Sequence, residues 1–192
     1  MAFKEWMVVV DALGRGEQIL ILRKGGIAEG HGGFKVEHPE FLLFPTLFHQ
    51  QRESVIPSAQ ARFDEIAPRF ESPEVLRLEF FAKVVEWRQL DCLDSALLLR
   101  GQHVWRDEVI ADRFDWSRNK NIFALAVRVL RLREKVELPM LPNYGGCKSW
   151  VELERDVSGS NAAPVTTDKE FLEKLGMFQD CFTKMASGGQ KQ

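Results

Sequence analysis

Three of the four histidines, His31, His38 and His49, fall in one stretch from Ile19 to Gln50, together with Gly25, Gly26, Gly30, Gly32 and Gly33. Two chemistries suit such a segment. Arg23-Lys24-Gly25-Gly26 follows an apolar run directly. Glycines let backbone N–H groups turn toward an anion and the two cations add charge, so these four residues are a candidate phosphate cradle. The GxxxxGK[ST] spacing of the nucleotide-binding loop is absent, and a hairpin turn with solvated basic side chains is the competing reading. His31, Glu37, His38, Glu40 and His49 offer imidazole and carboxylate to a divalent metal, with Glu37 and His38 as candidate ligands. Their spacing matches no metal-binding pattern, and loop groups bonded to the backbone are the alternative. In FLLFPTLFHQ (41–50), Thr46, His49 and Gln50 follow a wholly apolar run. Polar tips on buried scaffold line ligand clefts, and they also serve to satisfy buried backbone.

Two further constellations carry less. Cys147 follows two glycines and precedes Lys148 in YGGCKSW. An accessible thiolate is one reading, but a nucleophile would need His49 or His103 beside it, and a small buried cysteine is the simpler one. His103, Trp105, Arg113, Phe114 and Trp116 mix aromatic and basic character, as surfaces for nucleotide bases do. At helical spacing such residues usually form core.

The elements that must position these groups are legible from periodicity. Phe3, Trp6, Met7, Val10 and Leu13 predict an amphipathic helix over 3–14, ended by Gly14 and Gly16. Gln18 to Leu22 predicts a strand buried on both faces, followed by a glycine loop over 25–33 and a short strand at 34–36. A second apolar run, 41–44, stops at Pro45. Helices are expected over 58–67, 94–99 and 106–114, and strict alternation predicts a strand over 75–87. Residues 122–132 would pair with it antiparallel. Ser158 to Thr166 reads as a polar linker. Thr167-Asp168-Lys169-Glu170 is a capping box, opening a helix with Phe171, Leu175, Phe178, Phe182 and Met185 on one stripe.

Composition bounds the class. A chain of 192 residues suits one domain with an appendage, here 1–157 and 158–192. The net charge of −2 and pI near 6.1 argue against a strongly cationic nucleic-acid binder. Three scattered cysteines without a CxxC pair fit reduced thiols, and no apolar run has the roughly 20 residues of a membrane span. These features point to a cytoplasmic protein that does not enter the membrane.

The ordered strings EW (5–6), LRKGGI (22–27), FKVEHPEFLLFPT (34–46), HQ (49–50), HVW (103–105), RFDW (113–116) and GCKSW (146–150) resemble an uncharacterised bacterial family, the domain of unknown function eighteen-zero-two. The resemblance covers about residues 3–154 and implies one intact domain there. It implies no catalytic residues. The (D/E)xK triplet of PD-(D/E)XK nucleases is not met, because Glu79 lacks a lysine two residues on, and the REXXEE helix of Nudix hydrolases is absent.

The expected fold is therefore α+β: a mixed or antiparallel sheet with strands near 18–23, 34–44, 75–87 and 122–132, packed by helices, with a C-terminal amphipathic helix. The expected function is binding of a phosphate-bearing ligand, a nucleotide or nucleic acid. Arg23 and Lys24 would contact phosphate, and His38, His49 and Gln50 would orient the ligand or a hydrolytic water, with Gly25, Gly26 and Thr46 as further candidate ligand-binding residues. With a divalent metal on Glu37 and His38, this becomes a metal-assisted phosphodiester hydrolase. The alternative is a non-catalytic interaction or scaffold module that meets a protein partner through the C-terminal helix.

Overall fold

A computed structural model of the chain describes residues 1–24, 38–48, 51–70, 74–116, 118–159 and 161–188, with 184–188 as backbone only. The fold is α+β, and the seven strands of the described residues form one mixed sheet. β1 (Ala2–Trp6) lies between β3 (Glu40–Thr46), to which it is parallel, and β6 (Trp150–Val151), to which it is antiparallel. β3 pairs antiparallel with β4 (Val75–Leu90), and β4 with β5 (Ile122–Pro139). The far side of β5 is shared by β2 (Leu20–Arg23) and β7 (Ala163–Pro164).

The predicted helix over 3–14 is corrected: the chain enters as β1 and turns into α1 (Met7–Gly14) at Met7. Apolar residues at 3, 6, 7 and 10 fit a helical stripe, but Phe3 belongs to a strand that gains ladder bonds on both sides. Only α1 is helical, and all its residues except Asp11 are buried. It ends in a Schellman motif. Gly16, at φ 70°, donates to the Leu13 carbonyl, and Glu17 donates to that of Ala12.

Pro45 does not stop β3, as the sequence suggested. The ladder from β3 to β4 ends at Leu42, while that to β1 continues to Thr46. Pro45 thus sits where one flank is unpaired, the position in a sheet that tolerates a missing N–H. The expected polar linker over 158–166 is corrected too, since it contains β7, paired with Leu130 and Arg131. The glycine loop over 25–33 and the short strand at 34–36 lie outside the described residues.

β4 and β5 form the long spine of the sheet, with register shifts between Leu78 and Phe80 and between Val84 and Glu86. An extra residue in a strand exchanges its faces. Accordingly Leu76 and Leu78 pack with Leu42, Phe44 and Tyr144, whereas Phe80 and Ala82 pack with α1 in the main core. Bulges also coil a sheet, and here the coil brings β2 at one edge toward β1 and β6 at the other. Arg23 of β2 donates to the Lys4 carbonyl of β1 at 3.4 Å and to Ser149 Oγ beside β6 at 2.5 Å.

The remaining helices cover the main core. α2 (Pro57–Ile66) opens on a proline and buries Ala59, Phe63 and Ile66. α3 (Leu93–Leu97) and α4 (Asp107–Asp115) follow β4, and Asp107 and Glu108 occupy the first turn of α4, where the helix dipole favours carboxylates. α5 (Asp168–Gly188) begins with the capping box read from sequence: Glu170 N–H donates to Thr167 Oγ1, and Thr167 N–H donates to Glu170 Oε2. Its stripe Phe171, Leu175 and Phe178 is buried in the main core and Phe182 packs against it.

Candidate functional site

Residues far apart in sequence meet where β1 ends. Phe3 and Glu5 share the core face of β1, and the coil of the sheet brings Arg23 over both. The Arg23 guanidinium stands 4.9 Å from the Phe3 ring and 3.9 Å from Glu5 Oε2. Glu5 is 1% exposed. Its Oε1 accepts the Trp6 N–H at 2.7 Å, while Oε2 is buried with no hydrogen-bond partner among the described residues. A desolvated carboxylate oxygen is costly unless something donates to it.

A second arginine closes the cluster from α4. Arg113 donates to the Leu22 carbonyl at 3.0 Å. Its guanidinium lies 4.6 Å from the Trp6 ring and 5.0 Å from the Trp105 ring, an enclosed cation–π arrangement. Desolvation pushes the Arg113 guanidinium down to about 10, with Glu5 acting upward and Arg23 downward, so it stays charged at neutral pH. The Trp105 indole N–H is also buried without an acceptor among the described residues. Both amide atoms of Gln51 are likewise buried with no partner among the described residues.

Three of the residues singled out from sequence converge here. Arg23 sits at the centre. Thr46 Oγ1 donates to the Glu5 carbonyl at 3.1 Å. His38 packs its ring edgewise on Trp150 at 4.9 Å, next to the Ser149 that receives Arg23. Lys24 points elsewhere. Its ammonium donates to the carbonyls of Phe114, Asn119 and Asn121, which uses its three N–H groups to fasten the end of α4. Burial pushes its pKa down, with Asp115 acting upward and Lys120 downward. Gly25, Gly26, Glu37, His49 and Gln50 lie outside the described residues. Among the described residues no three His, Cys, Asp or Glu side chains come together to hold a metal.

By residue type and spacing the sequence carries no site signal for Glu5 and Ser149, whereas Trp105 and Arg113 stand in the aromatic and basic set weighed there against core packing. Each of the four falls in one of the short strings that carry the family resemblance, and that shared location was the available signal. Cys147, weighed as a nucleophile, is exposed, and His103 is buried beside Trp105 with a ring separation of 5.5 Å.

Chemically, the cluster offers one half-buried guanidinium with unused N–H groups, one enclosed guanidinium, and a carboxylate oxygen free to accept. Such a set is able to pair with an anion at Arg23 and to accept from a donor at Glu5. No helix of the described residues is long and apolar enough to cross a membrane. No curated protein and no solved structure matches the chain. The family model for the domain of unknown function DUF1802 matches residues 2–176, reaching into α5 and so beyond the 3–154 read from sequence, and the chain belongs to that family.

Proposed function

We propose that this protein binds a phosphate-bearing ligand of nucleotide type at the end of β1. One observation supports the reading: among the described residues the buried Glu5 Oε2 lacks a donor while Arg23, 3.9 Å away, has N–H groups to spare. A phosphate on Arg23, with a base or sugar N–H or O–H on Glu5, would satisfy both groups at once. Thr46 and Ser149 hold the two strands in place, and Arg113 adds positive potential from below. The free thiols of Cys92, Cys147 and Cys181 suit a reducing cytoplasm.

Fluorescence polarisation and calorimetry with nucleoside mono-, di- and triphosphates and short single- and double-stranded oligonucleotides test the proposal. Binding is expected to fall with salt and to weaken about tenfold or more in Arg23→Gln, the loss of one charge-assisted contact. A hydrolysis arm uses bis(4-nitrophenyl) phosphate with Mg²⁺ or Mn²⁺. Turnover that disappears in Glu5→Gln would extend the reading to a phosphodiester hydrolase. Absence of binding to every probe, or affinity unchanged by Arg23→Gln, removes it.

A further inference from the structure

A separate cleft of about 600 Å³ opens between α1, α2 and the bulged half of the β4–β5 ladder. Its volume is in the range of small-molecule sites. None of the residues of the β1 cluster lines it. Six cations line it, Arg15, Arg62, Arg69, Arg77, Arg131 and Lys135, against three carboxylates, Asp11, Glu79 and Glu137. Arg15 and Arg62 are balanced by Asp11 together with Glu17 and Glu65 just outside the lining, so the positive surplus lies on the other wall, where Arg69, Arg77, Arg131 and Lys135 face Glu79 and Glu137, and a cleft with apolar walls concentrates that field.

The cations are not equally committed. Arg62 is spent on Asp11 through two bonds of 2.8 and 2.9 Å. Arg77 donates to Glu137 and to the Arg69 carbonyl, which leaves one terminal nitrogen without a partner among the described residues. Arg131 lies 4.8 Å over the Phe80 ring, donates to the Gly14 carbonyl, and is 3.9 Å from Glu79. Lys135 pairs with the same Glu79 at 2.8 Å but stays 67% exposed. Arg69 has no ion-pair partner among the described residues. Beneath them the floor is apolar, formed by Met7, Val10, Leu43, Pro45 and Phe80.

We propose that this cleft binds a small organic anion built as a flat apolar body carrying one or two negative charges. The body would lie on the Phe80 side of the floor, and the charge would meet Arg69, Arg77 and Lys135 at the rim. A long polyanion fits less well, because Asp11, Glu79 and Glu137 interrupt the positive rim. A phosphate or a carboxylate head on an aromatic ring shares this chemistry.

The probe is 8-anilinonaphthalene-1-sulfonate, followed by fluorescence on the full chain. Saturable binding is expected, and the double variant Arg69→Gln, Lys135→Gln should weaken it about tenfold while leaving the melting temperature in place, since both side chains sit at the surface. Arg23→Gln should leave this affinity unchanged, which separates the cleft from the β1 cluster. Competition with AMP and with 1-naphthoate identifies the preferred head group, and displacement by either supports the proposal. Non-saturable fluorescence, no displacement by either competitor, an unchanged affinity in the double variant, or a loss in Arg23→Gln instead would overturn it.

Discussion

At the scale of single residues, burial decides the chemistry. Desolvation pushes the His103 imidazole down to about 4 from its ordinary 6.5, against the upward pull of Asp107. The folded state therefore holds the neutral ring, and the stability this gives is full above pH 6.5 and is lost as the pH falls toward 4. Urea unfolding at pH 7.5 and pH 5 should show the wild type losing about 2 kcal/mol between the two, with most of that loss absent in His103→Gln. An equal loss in both proteins would assign it to other groups. Gly14 is a second sensitive point, since a methyl there would overlap the far edge of the buried Phe80 ring. Gly14→Ala should cost about 1–3 kcal/mol by overpacking, and Phe80→Leu in the same chain should recover part of it. Residue types alone made Arg23 and Thr46 visible from the sequence. Glu5 stayed hidden, because it is not unusual in its own neighbourhood, and Arg113 stood out only within the aromatic and basic set, because its meeting with Arg23 and Glu5 depends on how the sheet coils.

At the scale of elements, legibility followed the strength of the local pattern. The alternation over 75–87 located β4, and the capping box located the start of α5 to the residue. The predicted helix holds over 7–14, but residues 3–6 were drawn into it for a physical reason: Phe3 and Trp6 of β1 fall at helical spacing from Met7 and Val10, so period gives no contrast at the junction. β7 was missed because two residues make no pattern at all. α5 also carries an unforced weakness in Gly176, where an added methyl meets no atom within 4 Å and no special backbone angle needs glycine. Gly176→Ala should raise stability by about 0.5–1 kcal/mol, read as a shift in the urea midpoint with an unchanged slope.

At the scale of the molecule, α5 belongs to the core it covers. Phe171, Leu175 and Phe178 are buried with residues of α1 and β5, and a side chain of this size contributes about 1.5–3 kcal/mol when buried. Ending the chain before Asp168 should therefore remove roughly 5 kcal/mol or more, and the truncated protein should show a broadened thermal transition or fail to stay soluble. Leu172 and Met177 remain the large exposed apolar side chains of α5 among the described residues. A quite different consequence follows from the place of β1 in the sheet. It precedes the other strands of the sheet in the chain, yet one of its neighbours is β6, with Ala2 opposite Val151 and Lys4 bonded to residues 141 and 142 positions away. A ribosome must therefore release most of the polypeptide before the first strand can be closed in. Until then Phe3 lacks the β6 side of its cover, so closure of the sheet around β1 is a contact of long sequence separation and should come late in folding.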